Sequence, residues 1–139
     1  MGTRSLTYVY NSDYVPGKFE DALVCMYRQF DGYPEGHGSE LAEFLSGREV
    51  VNGIGSNTPR KASNGMGCLA ASLVGYFKTD IGGIYLHTPV QNQDSWQEYE
   101  YHVFEDAVVV KNPSDIIFAG SWEDFGQFCL SPNELETDE

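Results

Sequence analysis

The sequence predicts a single α+β domain in which about three helices pack on a mostly antiparallel β-sheet. With 139 residues, the chain is long enough for one compact core and too short for two ordinary domains. Hydrophobic residues make up 41% and aromatic residues 14%, well above the content of disordered chains. The predicted elements come in blocks (two strands, two helices, four strands, one helix), which is typical of α+β proteins.

The first half of the chain is predicted to form a hairpin followed by a short helix. An alternating run over residues 5–10 and a continuous apolar run over 22–27 predict two paired strands. A glycine-rich loop over 30–38 comes next. Ser39 is expected to cap a helix that Gly47 ends.

The strongest helical pattern follows a second irregular stretch, residues 52–65. Its apolar face recurs at the helical period and consists of Met66, Leu69, Ala70, Leu73, Val74 and Phe77. Four strands, mostly antiparallel because their connections are short, are then predicted at 84–87, 98–104, 108–110 and 116–118. Ser121 opens a last helix, and we assign the domain to residues 1–130 and a flexible acidic tail to 131–139.

The charge of the chain is strongly negative and unevenly distributed. The net charge is −13, which argues against direct binding to nucleic acid or to anionic membranes. Residues 1–78 hold 8 acids and 7 bases, a net charge of −1, whereas residues 79–139 hold 13 acids and one base, a net charge of −12. With no membrane span or signal peptide in the sequence, we expect a soluble cytoplasmic protein.

The cysteines suggest one catalytic hypothesis, a thiol hydrolase. Three widely spaced cysteines without a CxxC motif fit reduced thiols rather than disulfides or a zinc site. Cys68 lies at the start of the strongest predicted helix, where the helix dipole lowers a thiol pKa, and His102 follows on a strand. Since Tyr101 and its alternate neighbours are expected to face the core, His102 faces the other way. The pair forms only if the helix packs on the histidine side; otherwise Cys68 is a small packed residue and His102 faces solvent.

The two glycine-rich loops form a candidate pocket for a small anionic ligand, such as a phosphorylated compound or nucleotide. Backbone N–H groups in such loops and at helix N-termini bind phosphate. The candidate ligand-binding residues are Arg28, Asp31, Tyr33, His37, Arg60, Lys61 and Asn64. Neither GxxxxGK[ST] nor a GxGxxG after a strand is present, so an ordinary connection with a basic tip is the simpler interpretation.

The histidines do not predict a metal site. His37, His87 and His102 are dispersed, and no HxxxH or HExxH spacing places two ligands on one helix face. We therefore expect no metal and no cofactor.

A negatively charged binding surface is the fourth candidate. Its acidic residues lie on neighbouring predicted strands and turns and are Glu98, Glu100, Glu105, Asp106 and Asp115. Such a surface speeds association with basic partners, and exposed aromatic residues would anchor them. The aromatic candidates are Tyr14, Tyr33, Tyr85 and Trp96. The simpler interpretation is that the acids provide solubility and protect sheet edges.

Three segments, residues 1–7, 26–38 and 64–71, resemble a family of uncharacterised proteins of bacteria and their phages. The segments begin MGTRSLT, MYRQFDGYPEGHG and NGMGCLAA. Because no activity is established for that family, the resemblance implies no site residues. It implies a phage or accessory-gene context, in which small acidic inhibitors of host proteins are common.

Together these observations favour a non-enzymatic protein that binds a basic surface on a host protein. Its expected role is inhibition of a nucleic-acid-dependent defence system. The alternatives are a small-molecule pocket formed by the two glycine-rich loops and, less favoured, a Cys–His hydrolase. The sequence leaves the oligomeric state open.

Overall fold

The computed structural model describes residues 3–11, 22–55, 61–88, 97–112 and 115–130. Within these ranges the strands are β1 Ser5–Tyr10, β2 Ala22–Arg28, β3 Glu49–Val51, β4 Ala62–Asn64, β5 Ile84–His87, β6 Tyr99–Val103, β7 Val108–Asn112 and β8 Asp115–Gly120. The helices are α1 Ser39–Leu45, α2 Gly65–Phe77 and α3 Trp122–Leu130. A π-helical turn, Pro34–Gly38, leads directly into α1.

Six strands form one sheet in the order β5-β2-β1-β6-β7-β8. Adjacent strands in this sheet run antiparallel, except for β1 and β6, which run parallel. The short strands β3 and β4 make a separate parallel pair. The predicted α+β class with a mostly antiparallel sheet is confirmed. The later strands do not follow one another across the sheet, however, because β5 pairs with β2 at one edge and β6 joins β1 at the centre.

The three helices cover one face of the sheet and enclose the main core. The predicted apolar face of α2 is confirmed, since Met66, Leu69, Leu73 and Phe77 are buried in this core. The helix packs there against the central strands β1 and β2. The opposite side of α2, which includes Cys68, is exposed.

The other face of the sheet carries a second buried cluster. Leu6, Tyr8, Tyr10, Ala22 and Cys25 form it, with Tyr27 and Phe104 packed against them. Every residue of β1 is buried, as expected of a central strand with apolar clusters on both faces. Burial raises the pKa of the Cys25 thiol to about 11.

Two local predictions are corrected. Ser39 is not a helix cap, because the chain is already helical at Gly38 and no side chain caps α1. The strands β3 and β4 were missed, since three residues each are too few to show a periodic pattern. Gly47 does follow the end of α1, with φ of 72°. The predicted tail 131–139 lies outside the described residues.

In the part of the chain that the structure describes, no helix is both long enough and apolar enough to cross a membrane.

Candidate functional site

A broad surface groove lies between α1, α3 and the turn that joins β6 to β7. Its volume is about 1130 Å³. Residues 39–50, 105–106 and 121–130 contribute its lining, so the groove is assembled from three separate parts of the chain. We call it the acidic groove because carboxylates dominate its charged lining.

Six carboxylate side chains line the acidic groove. They are Glu43, Glu49, Glu105, Asp106, Glu123 and Asp124, and all six residues are exposed. Among the lining residues Arg48 is the one base. The groove therefore carries a local net charge of −5, six acids less one base, within a single concave surface.

Arg48 is turned into the protein rather than towards the carboxylates. Its guanidinium lies 4.0 Å from the centroid of the Phe44 ring. Nε donates to the Phe44 carbonyl at 3.1 Å, and Nη1 donates to Ser63 Oγ at 3.3 Å. Burial lowers the pKa of Arg48. Because these contacts occupy the guanidinium, Arg48 does not pair with the groove carboxylates. One of these, Glu43, accepts a hydrogen bond from the Tyr76 hydroxyl at 2.8 Å.

The start of α3 is fixed by the sequence around Ser121. Ser121 Oγ accepts a hydrogen bond from the Asp124 amide at 3.1 Å, which is the arrangement of a helix N-cap. Trp122 Nε1 donates to the Phe104 carbonyl at 3.0 Å, tying α3 to the end of β6. Two carboxylates in the first turn are stabilised by the positive end of the helix dipole.

The turn between β6 and β7 presents the other pair of acids. Phe104 N donates to the Ala107 carbonyl at 2.8 Å, which closes a tight turn with Glu105 and Asp106 at its tip. Both side chains are exposed. The hairpin therefore holds two adjacent carboxylates at the rim of the groove.

The predicted acidic surface is only partly assembled. Glu105 and Asp106 line the groove, whereas Glu98 and Asp115 are exposed but outside its lining. Glu100 points to the second buried cluster, where its carboxylate accepts hydrogen bonds from His102 and Gln97. Burial opposes the ionisation of Glu100, but these hydrogen bonds outweigh it and lower its pKa.

Four of the groove acids were not in the predicted acidic set: Glu43, Glu49, Glu123 and Asp124. The Glu123 and Asp124 pair was visible in the sequence only as a helix start. Glu43 and Glu49 belong to the nearly neutral first half of the chain. No sequence signal places Glu43 and Glu49 near the acids of the second half. The packing of α1 beside α3 brings them together.

The Cys–His hydrolase arrangement does not form. Cys68 lies on α2, which packs on the helix-covered face, while His102 lies on the opposite face of the sheet. The alternation that placed His102 away from the main core is therefore confirmed. The expectation of solvent exposure is wrong, because His102 is 4% exposed. Its ring stacks on Tyr8 with centroids 4.8 Å apart, and Nδ1 is 2.8 Å from the Tyr10 hydroxyl.

Arg28 and His37 from the proposed anion pocket do meet, but their polar groups are already paired. Arg28 donates twice to the Glu40 carboxylate, at 3.1 and 3.3 Å. The same guanidinium donates to His37 Nδ1 at 3.2 Å, and His37 Nε2 lies 2.7 Å from Thr7 Oγ1. His37 is fully buried, so it cannot touch a ligand at the surface.

The remaining predicted ligand residues are not gathered around Arg28. Lys61 donates to the Glu43 carbonyl at 3.0 Å, and Asn64 Oδ1 accepts from the Gly53 amide at 2.8 Å. Asn64 precedes α2, whereas Arg28 and His37 contact Phe77 at its far end. The two ends of this helix are roughly 20 Å apart at its rise per residue.

Asp31 and Tyr33 are exposed in the loop beside His37, and Asp31 has a φ of 62°. The Asp31 carbonyl accepts from the His37 amide at 2.7 Å, so the loop is braced by its own backbone. Arg60 lies outside the described residues, as do the predicted aromatic anchors Tyr14 and Trp96. Among the described residues no group of three or more His, Cys, Asp and Glu side chains is arranged to hold a metal ion.

No protein-family model, no curated protein and no solved structure matches this chain. The resemblance to uncharacterised bacterial and phage proteins stays a prediction.

Proposed function

We propose that this chain is a binding protein that holds a lysine- or arginine-bearing segment of a partner protein in the acidic groove. The observation that carries the proposal is the convergence of six carboxylates on one groove whose single lining arginine is bound by Phe44 and Ser63. Such a concave negative surface attracts cationic groups and raises their rate of association.

Apolar groups beside the carboxylates support a peptide-like partner over a simple cation. Leu130 is 73% exposed and Trp122 is partly buried, and both line the groove. Lysine and arginine bury their aliphatic stems on such surfaces while their charged ends reach carboxylates. The groove therefore offers contacts to both parts of these side chains.

The proposal extends to the kind of partner. Proteins that bind nucleic acid present clusters of lysine and arginine to phosphates. An acidic groove competes for the same side chains, so occupation of that basic surface would inhibit nucleic-acid binding. We propose a host nucleic-acid-binding protein of a defence system as the partner, which is the role favoured by the charge of the chain.

The test compares two double variants that remove the same charge. Glu105→Gln/Asp106→Asn neutralises two groove acids, whereas Asp80→Asn/Glu98→Gln neutralises two exposed acids outside it. Binding of a fluorescent oligolysine peptide is measured for each. We expect the groove variant to bind about five- to tenfold more weakly, from the usual size of exposed charge pairs, and the control variant to change affinity less than about twofold.

Salt dependence gives the second measurement. Binding of the same peptide to the unmodified protein should weaken as salt rises from about 0.05 to 0.5 M, because exposed charges are screened. The groove variant should show a shallower salt dependence than the control variant. Equal losses in the two variants would mean that only net charge matters and would overturn the proposal.

A further inference from the structure

The strand β8 forms one edge of the six-stranded sheet. Its sequence is DIIFAG, with Asp115 as the one charged residue. Ile116 is 64% exposed, and Ala119 is also exposed. An apolar edge strand of this length is a ready template for pairing with another extended segment.

The ladder shows which backbone groups of β8 point outward. The hydrogen bond from Phe104 N to Ala107 O makes that pair a bonded pair of the β6–β7 ladder. Bonded pairs alternate in antiparallel sheets, so Val108 and Val110 direct their amides to β8. Their partners there are Gly120 and Phe118. The N–H and C=O of Ala119, which lies between them, therefore point away from the sheet.

The opposite edge strand, β5, is bonded to a side chain at its start. Lys78 Nζ donates to the carbonyls of Gly82 and Ile84 at 3.1 Å each, and the Ile84 amide donates to the Gly82 carbonyl. Within β5 these bonds occupy the backbone of Ile84 and do not reach Leu86, the next residue whose backbone points outward. Among the described residues, no comparable side-chain bond reaches the outer backbone of β8. Within the part of the chain that the structure describes, the outer edge of β8 is distinguished by the charges beside it.

The charges around β8 identify the occupant. Asp115 lies at its start, and at its end a Cβ built on Gly120 would lie 3.6 Å from the Cβ of Asp124, which lines the acidic groove. A second copy of this chain would bring the same acids together and be repelled. An extended segment with basic residues at its ends meets opposite charges instead.

We propose that an extended partner segment, β-branched in its middle and basic at its ends, pairs with the outer edge of β8 and continues into the acidic groove. This inference rests on the proposed function and adds the conformation of the partner and a second contact surface. Backbone hydrogen bonds to Ala119 hold the segment, while Asp115 and the groove carboxylates select its charged ends.

The test uses a peptide with lysines at both ends and alternating valine and threonine between them. Ala119→Pro removes the outward N–H without breaking a bond to β7, and Ala119→Ser keeps it as the matched control. We expect Ala119→Pro to bind the peptide about tenfold more weakly than Ala119→Ser. A peptide N-methylated on alternate backbone amides should lose a similar factor against the unmodified protein, which covers the case in which Ala119→Pro does not fold.

The outcomes separate this inference from the proposed function. If the groove variant Glu105→Gln/Asp106→Asn weakens binding while Ala119→Pro and N-methylation do not, the groove binds basic segments and strand pairing is wrong. If a self-association measurement shows that Ala119→Pro dissolves a dimer of this chain, the occupant is a second copy and the inference is overturned. If the peptide does not bind the unmodified protein, both proposals fail.

Discussion

The buried histidine His37 gives the sharpest prediction about stability. Its ring lies between Phe77 and Tyr101, with centroids 4.7 and 4.9 Å away. Arg28 has only N–H donors to offer, so His37 Nδ1 must accept its hydrogen bond. The ring proton then sits on Nε2 and is donated to Thr7 Oγ1. A second ring proton would face the guanidinium directly.

These surroundings keep His37 neutral. Burial, followed by the positive charge of Arg28, lowers its pKa from 6.5 to about 3. The unfolded chain therefore binds a proton below pH 6.5 that the folded chain refuses. The sign follows directly: the stability present above pH 6.5 is lost as the pH falls towards 3.

The size of the loss is set mainly by the pKa of the unfolded histidine. From pH 7.5 to pH 5 this one group lowers the free energy of unfolding by about 2 kcal/mol. The loss at pH 5 scarcely changes for any folded pKa below about 4. Ordinary carboxylates are still ionised across most of this interval, so their contribution to the change is small.

Urea unfolding of the native protein and of His37→Gln, measured at several pH values, isolates the contribution of His37 to the free energy of unfolding. The stability difference between the two proteins should fall by about 2 kcal/mol between pH 7.5 and 5. As an independent check, the His37 ring resonances should not titrate in that interval. A pH-independent difference, or a ring that titrates near pH 6, would refute the assignment of His37 as a buried neutral group.

Three further predictions concern packing and access. Alkylation of the native protein should label the exposed Cys68 and spare Cys25 and Cys129. These two thiols are buried, and their pKa values are raised to about 11 and about 12. Mass spectrometry that shows several adducts forming at once would contradict this prediction. Gly38→Ala places a Cβ 2.8 Å from Cys129 Sγ and should cost about 1 to 3 kcal/mol, a loss that adding Cys129→Ala should partly restore. Ser121→Ala removes the cap of α3 and should cost about 1 kcal/mol in urea unfolding, whereas Ser121→Asp should not; equal stabilities would argue against the cap.

Local patterns predicted much of the fold because they depend on neighbours in sequence. The apolar period of α2 and the alternation in β6 both held, with Leu69, Leu73, Tyr101 and Val103 fully buried in the main core. The side of the sheet that His102 occupies followed from that alternation. Its burial did not, because it depends on the packing of the second cluster, on β1 and β2, beside the His102 ring.

The candidate site was much less predictable. Glu105 and Asp106 were expected at a surface turn and are found there. Arg28 looked like a free anion contact in the sequence, yet Glu40, twelve positions away, binds it. Whether a charge is free depends on which opposite charge the fold places beside it. A short sequence motif carries no information about which opposite charge the fold places beside it.

By itself the sequence determined the α+β class, the amphipathic helix α2 and the concentration of negative charge after residue 78, since composition and hydrophobic period are local properties. Tertiary structure alone decided that β6 runs parallel to β1 and that α1 packs beside α3. These long-range pairings bring acids from both halves of the chain into one groove. Electrostatic attraction depends on distance in space, and only the folded packing fixes the distances between residues far apart in sequence.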